Sequence, residues 1–97
     1  MQSTQEILDT IQQAKQHLSS TYKLHAVGVF GSVIRGEQRD GSDIDVLVEF
    51  DDPPGLLKLI ELEDYLSDLL GVKVDLVTRD GLKPRIGRRV LSEVVSI

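Results

Sequence analysis

Apolar residues early in the chain recur every three to four positions. Ile7, Leu8, Ile11, Ala14 and Leu18 fall on one side of a helix. Ser3-Thr4-Gln5-Glu6, with a hydroxyl and a carboxylate at capping-box spacing, opens that helix, and the pattern carries it to about Ser19. The period then changes. The stretch from about Leu24 to Phe30 contains the apolar run Ala26-Val27-Gly28-Val29-Phe30 and predicts a buried strand. Gly31-Ser32 turns into a short helix that ends near Gly36, and Glu37 to Ser42 is polar and loop-like. Asp43-Ile44-Asp45-Val46-Leu47-Val48-Glu49-Phe50 alternates with period two, which predicts a second strand. Asp51-Asp52-Pro53-Pro54-Gly55 breaks the chain. From Leu56 to Leu70 a helical stripe of Leu59, Leu62, Leu66, Leu69 and Leu70 leaves Lys58, Glu61, Asp64 and Asp68 outside, and Gly71 is placed as its stop. Val72-Lys73-Val74-Asp75-Leu76-Val77 predicts a third strand, and Pro84 to Leu91 a last helix. The fold class that follows is α/β (α+β), a small mixed sheet of three or four strands with helices packed on one face. At 97 residues the expectation is a single domain, 1–97, with a modest core.

Composition narrows the function. With no cysteine, disulfides and thiolate metal sites are excluded. No apolar stretch approaches the ~20 residues of a membrane span, and no signal-type segment opens the sequence, so the expected location is the cytoplasm, away from any membrane. The net charge of −5 argues against direct binding of nucleic acid, which requires a basic footprint. Lys83, Arg85, Arg88 and Arg89 are the one basic concentration, either a solvated helix face or a contact for a partner or a triphosphate. His17 and His25 lack the spacing of a metal pair, and Tyr22 and Tyr65 read as packing residues with a polar tip.

The chemistry concentrates in Gly31-Ser32 and, ten residues later, Asp43-Ile44-Asp45. A strand that ends in Gly-Ser offers backbone N–H groups and a hydroxyl to a phosphate, and Gly31 lets the backbone approach closely. Alternation puts Asp43 and Asp45 on one face of a strand, about 6–7 Å apart. Hard oxygen ligands at that separation suit magnesium and the phosphate oxygens it bridges. Asp75 lies in another apolar strand, where a carboxylate is expensive unless it is paired or binds a metal. Lys73 and Arg79 could make it an ordinary ion pair; beside the Asp43 strand it would instead complete a group of three. Arg35, one turn after Ser32, could hold a triphosphate as a planar fork or pair with Glu37.

These residues resemble a known family. Gly-Ser, ten residues, Asp-x-Asp and a later strand aspartate are similar to the polymerase β-type nucleotidyltransferases. Val29-Phe30-Gly31-Ser32-Val33-Ile34-Arg35-Gly36-Glu37, followed by Gly41-Ser42-Asp43-Ile44-Asp45, resembles the minimal, MNT-type branch, the antitoxins of HEPN toxins. Ile34 departs from the small residue expected before the Arg-Gly pair. The resemblance implies ATP as donor and two Mg2+ ions, with Mn2+ as a substitute. Asp43, Asp45 and Asp75 would be metal ligands and catalytic residues, and Gly31, Ser32 and Arg35 would bind the nucleotide. It implies as partner a HEPN-family toxin in a hetero-oligomer, with AMP transferred to a hydroxyl of that toxin, a tyrosine. The other classes are a non-catalytic antitoxin that masks the toxin by contact and a small-molecule nucleotidyltransferase.

Overall fold

The computed structural model describes residues 3–37 and 43–97. The polar stretch before Asp43, with the Gly41-Ser42 part of the motif, lies outside the described residues. The elements are α1 (Thr4–Tyr22), β1 (Leu24–Phe30), α2 (Ser32–Arg35), β2 (Ile44–Phe50), α3 (Leu56–Leu70), β3 (Val74–Thr78), a 3-10 turn (Arg79–Gly81), α4 (Pro84–Glu93) and β4 (Val95–Ser96). The sheet order is β3-β2-β1-β4. β1 runs antiparallel to both β2 and β4, whereas β2 and β3 are parallel, as a strand–helix–strand crossover through α3 requires.

Ser3 caps α1 by accepting the Glu6 N–H at 3.1 Å. The helix continues three residues beyond the expected Ser19, because Tyr22 adds a buried position to the same face. Ile7, Ile11 and Leu18 of α1 and Leu62, Leu66 and Leu70 of α3 are buried against Val29, Ile44, Val46, Val48 and Val74 of the sheet. Leu59 and Leu69 do not join that buried row. Leu69 is 37% exposed, because residues four apart (62, 66, 70) stay on the sheet-facing line while 69 rotates off it. Ile34 packs at the rim of the main core, where the motif's expected small residue would leave more space. Leu66 is fully buried, so Leu66→Ala is expected to destabilise the chain by about 2–5 kcal/mol through lost transfer energy and a cavity. Urea denaturation checks this, as an unchanged slope with a lower midpoint.

Side chains of α3 protect the outer edge of the sheet. β3 is an edge strand, and its outward N–H groups donate to α3: Val74 to Ser67 Oγ at 3.0 Å and Leu76 to Glu63 at 3.1 Å. β1 carries a bulge between Leu24 and Ala26, and so both Leu24 and Val27 reach the same core in spite of their odd spacing. β4, absent from the sequence pattern, pairs with β1 through Gly28 and Val29. A Cβ at Gly28 would stand 2.7 Å from a Val94 methyl, so only glycine admits this closeness.

On the opposite face lies a second, smaller cluster of Phe30, Leu47 and Val90, with Val77, Leu82 and Val94 against it. Here α4 crosses the sheet. Pro84 begins that helix at a position where its missing N–H leaves nothing unpaired. α4 runs two residues past the expected Leu91, which brings Glu93 over the end of β1.

Candidate active site

Strand register assembles the site. Asp45 lies beside Phe30 of β1 on one side and beside Asp75 of β3 on the other. Register partners share a face, so the two carboxylates stand on the α4 side of the sheet with backbones about 4.8 Å apart. Asp43, just ahead of β2, falls on the same face by alternation and is exposed. Its carboxylate is 3.9 Å from Lys73 Nζ. Arg79, the other possible partner of Asp75, instead holds Glu49 at 3.3 Å. Neither cation pairs with Asp75, and it stands with the other two aspartates rather than in a salt bridge.

The convergence has an electrostatic signature. Burial pushes the Asp45 carboxyl above the ordinary carboxylate range, and the charges of Asp75 and Asp43 push it further, with Arg35 opposing. Among the described residues no group of three or more His, Asp or Glu side chains is drawn together closely enough to hold a metal ion by itself. Magnesium is commonly held by one or two carboxylates together with substrate phosphates, so an open carboxylate group fits that ion better than a protein cage would. A divalent cation would also relieve the repulsion that adds to burial in raising Asp45.

Beside the carboxylates, Gly31 joins β1 to α2 with φ 82° and ψ −151°. A Cβ there would collide with the Asp45 carboxylate. Both the backbone angle and the close approach therefore require glycine. The Ser32 side chain opens α2, and among the described residues its hydroxyl has no protein partner. Arg35 ends α2 and pairs with Glu37 at 3.1 Å and Glu93 at 3.0 Å. The Glu37 pair is one of the two roles open to Arg35 from the sequence. The pair with Glu93 was not legible, because the sequence pattern ended the last helix at Leu91.

An open cleft of about 200 Å³ lies over this group, lined by Gly31, Arg35, Asp45, Ile86, Arg89 and Glu93 among others. Arg89, from the basic group that the sequence offered as a solvated face or a triphosphate contact, lines the cleft, and Glu93 is the lining residue that the sequence did not single out. The signal for Glu93 was the spacing 86, 89, 93, one face of α4 once the helix is carried to its true end. A larger recess of about 280 Å³, toward the far end of the sheet, is lined by Leu56, Leu59, Ile60, Glu63, Leu76 and Thr78. It holds one carboxylate and lacks the charged groups gathered in the cleft over Asp45. His25 pairs with exposed Asp51 at 3.1 Å, and the His17 ring packs beside Tyr65, both away from the cleft.

The profile of the nucleotidyltransferase domain family matches residues 11–97. A protein adenylyltransferase, MntA of Thermococcus cleftensis, is 45% identical over 97 residues, all of this chain and 98% of that one. A solved structure described as a minimal nucleotidyltransferase superposes with TM-score 0.83 at 40% identity, over 99% of this chain and 97% of the other. A toxin–antitoxin crystal structure with AMP-PNP superposes with TM-score 0.73 at 27% identity, over 87% of this chain and 69% of the matched one. On the matching profile, the relatives and the shared fold, the chain belongs to the nucleotidyltransferase domain family, in its minimal branch.

Proposed function

We propose that this protein transfers AMP from ATP to a hydroxyl, a tyrosine, of a HEPN-type toxin in the cytoplasm and so neutralises it. Residues 1–97 would act as one nucleotidyltransferase domain. The observation that carries the reading is the register pairing of Asp45 with Asp75, with Asp43 on the same face, beside a buried Gly31 that admits no side chain. The similarity to a named protein adenylyltransferase and to a toxin–antitoxin complex holding AMP-PNP supports the donor and the partner.

Asp43 and Asp45 would hold two magnesium ions, or manganese in their place, and Asp75 would complete the position nearer the nucleophile. When bound, the ions supply the positive charge that stabilises the entering and leaving oxygens. Gly31, Ser32 and Arg35 orient the terminal phosphates. The acceptor oxygen bonds to the α-phosphorus, the bond from that phosphorus to the bridging oxygen breaks, and pyrophosphate leaves. Asp75 accepts the hydroxyl proton. The acidic chain leaves nucleic acid an unfavourable direct partner, whereas a compact triphosphate brings its own cations.

Intact-mass spectrometry of the cognate toxin, incubated with this protein, ATP and magnesium, tests the reading. The expected result is a gain of one or more AMP units, abolished by Asp75→Asn. Neutralisation by complex formation with no gain in mass would mean that the protein acts as a masking antitoxin instead.

A further inference from the structure

We propose that Glu93 is an internal stand-in for phosphate: its carboxylate holds the donors of the phosphate subsite in the nucleotide-free protein and gives them up when a triphosphate enters. The inference rests on the nucleotidyl-transfer reading and adds to that site a residue with a competing role.

Glu93 Oε1 accepts the Gly31 N–H at 2.9 Å and Arg35 Nη1 at 3.0 Å, and Oε2 lies 3.3 Å from the same nitrogen. A backbone N–H and a guanidinium converging on one anionic oxygen is the arrangement a phosphate oxygen takes. Gly31 has a single N–H, which Glu93 and a phosphate cannot both engage at full strength. Glu93 is also a negative charge inside a cleft that already contains Asp45, and it adds to the charges opposing ionisation there. A triphosphate brought into this cleft meets that repulsion until Glu93 leaves.

The chain lets it leave. Glu93 is the last residue of α4, its side chain is 20% exposed, and Val94 beyond it is already extended with φ −64° and ψ 136°. β4 is held by two register pairs. Arg89, one helical turn earlier on the same cleft wall, is exposed and placed to meet the incoming charge.

The sign of the effect separates this role from a structural one. Were Glu93 only a brace for Arg35, its removal would weaken anion binding. As a competitor, its removal strengthens it. Titration calorimetry on the full chain, with inorganic tripolyphosphate without magnesium and with Mg-ATP, is expected to give about tenfold tighter binding for Glu93→Ala. That is the scale on which one competing charge-assisted contact acts. Glu93→Gln, which keeps the shape and an acceptor oxygen but loses the charge, is expected to gain less, and it serves if the alanine variant is unstable. If wild type binds Mg-ATP and both variants bind equally or more weakly, the stand-in role is overturned while the transfer reading survives. If neither wild type nor the variants bind either probe, the nucleotide-site reading falls and this inference falls with it.

Discussion

An Asp45→Asn protein is expected to lose AMP transfer by about a thousandfold or more while melting at a higher temperature than wild type at neutral pH in the presence of a chelator. The two halves have one cause. The Asp45 carboxyl is held above its ordinary range by burial, then by the charges of Asp75 and Asp43, with Glu93 adding to them and Arg35 opposing. The folded state therefore keeps the proton to higher pH than the unfolded chain does. The stability this gives is complete below the unfolded value near 3.9 and is lost as pH rises through the raised folded value. Asparagine imitates the neutral form at every pH, so the variant's stability advantage grows as pH rises toward neutrality and shrinks near pH 4. The catalytic loss follows because asparagine brings no charge to a metal, and loss of a directly acting carboxylate falls in that range. Scanning fluorimetry across pH with EDTA, beside the mass assay, checks both. A wild type more stable than the variant at neutral pH without metal would mean that the three carboxylates do not oppose one another.

The strands and long helices were legible because their apolar periods differ and turn residues separate them. The capping Ser3 and the stop at Gly71, whose N–H reaches Ser67 O at 2.9 Å, act as their chemistry predicts. What the pattern lost was decided by tertiary contacts. β4 consists of two exposed residues, and nothing local marks them; only their fit over Gly28 makes them a strand. β3 starts at Val74 rather than Val72 because Ile44 N–H already bonds Lys73 O and the ladder with β2 opens there. The last turn of α4 was cut short because Ser92 and Glu93 are polar and end the apolar pattern, although Glu93 is held by Gly31 and Arg35 from other elements. The aspartates of the site were visible as a motif, but that Asp75 stands beside Asp45 follows from register, which a sequence does not print.

Gly31→Ala is expected to reduce transfer by about a hundredfold or more and to lower the melting temperature, whereas Gly36→Ala is expected to spare transfer. Both glycines have positive φ, 82° and 73°, so an added methyl strains the backbone at each: by about 1–2 kcal/mol at Gly36, which is left-handed helical, and by more at Gly31, whose ψ of −151° lies where essentially only glycine goes. Their surroundings separate them. A Cβ at Gly36 meets nothing within 4 Å, and strain is the whole effect. At Gly31 the methyl would collide with the carboxylate of Asp45, whose backbone is paired to β1 and β3, so the carboxylate has to turn out of its place in the site. Relief then moves either Asp45 or the Gly31 N–H, and a displacement of about 1 Å at a reacting centre is enough to slow a reaction a hundredfold. Melting curves read the stability cost of each variant, and the toxin mass assay reads the loss of transfer. A less stable Gly31→Ala protein with transfer intact would show that Gly31 is needed for its backbone angle alone, and that the space beside Asp45 does no chemical work.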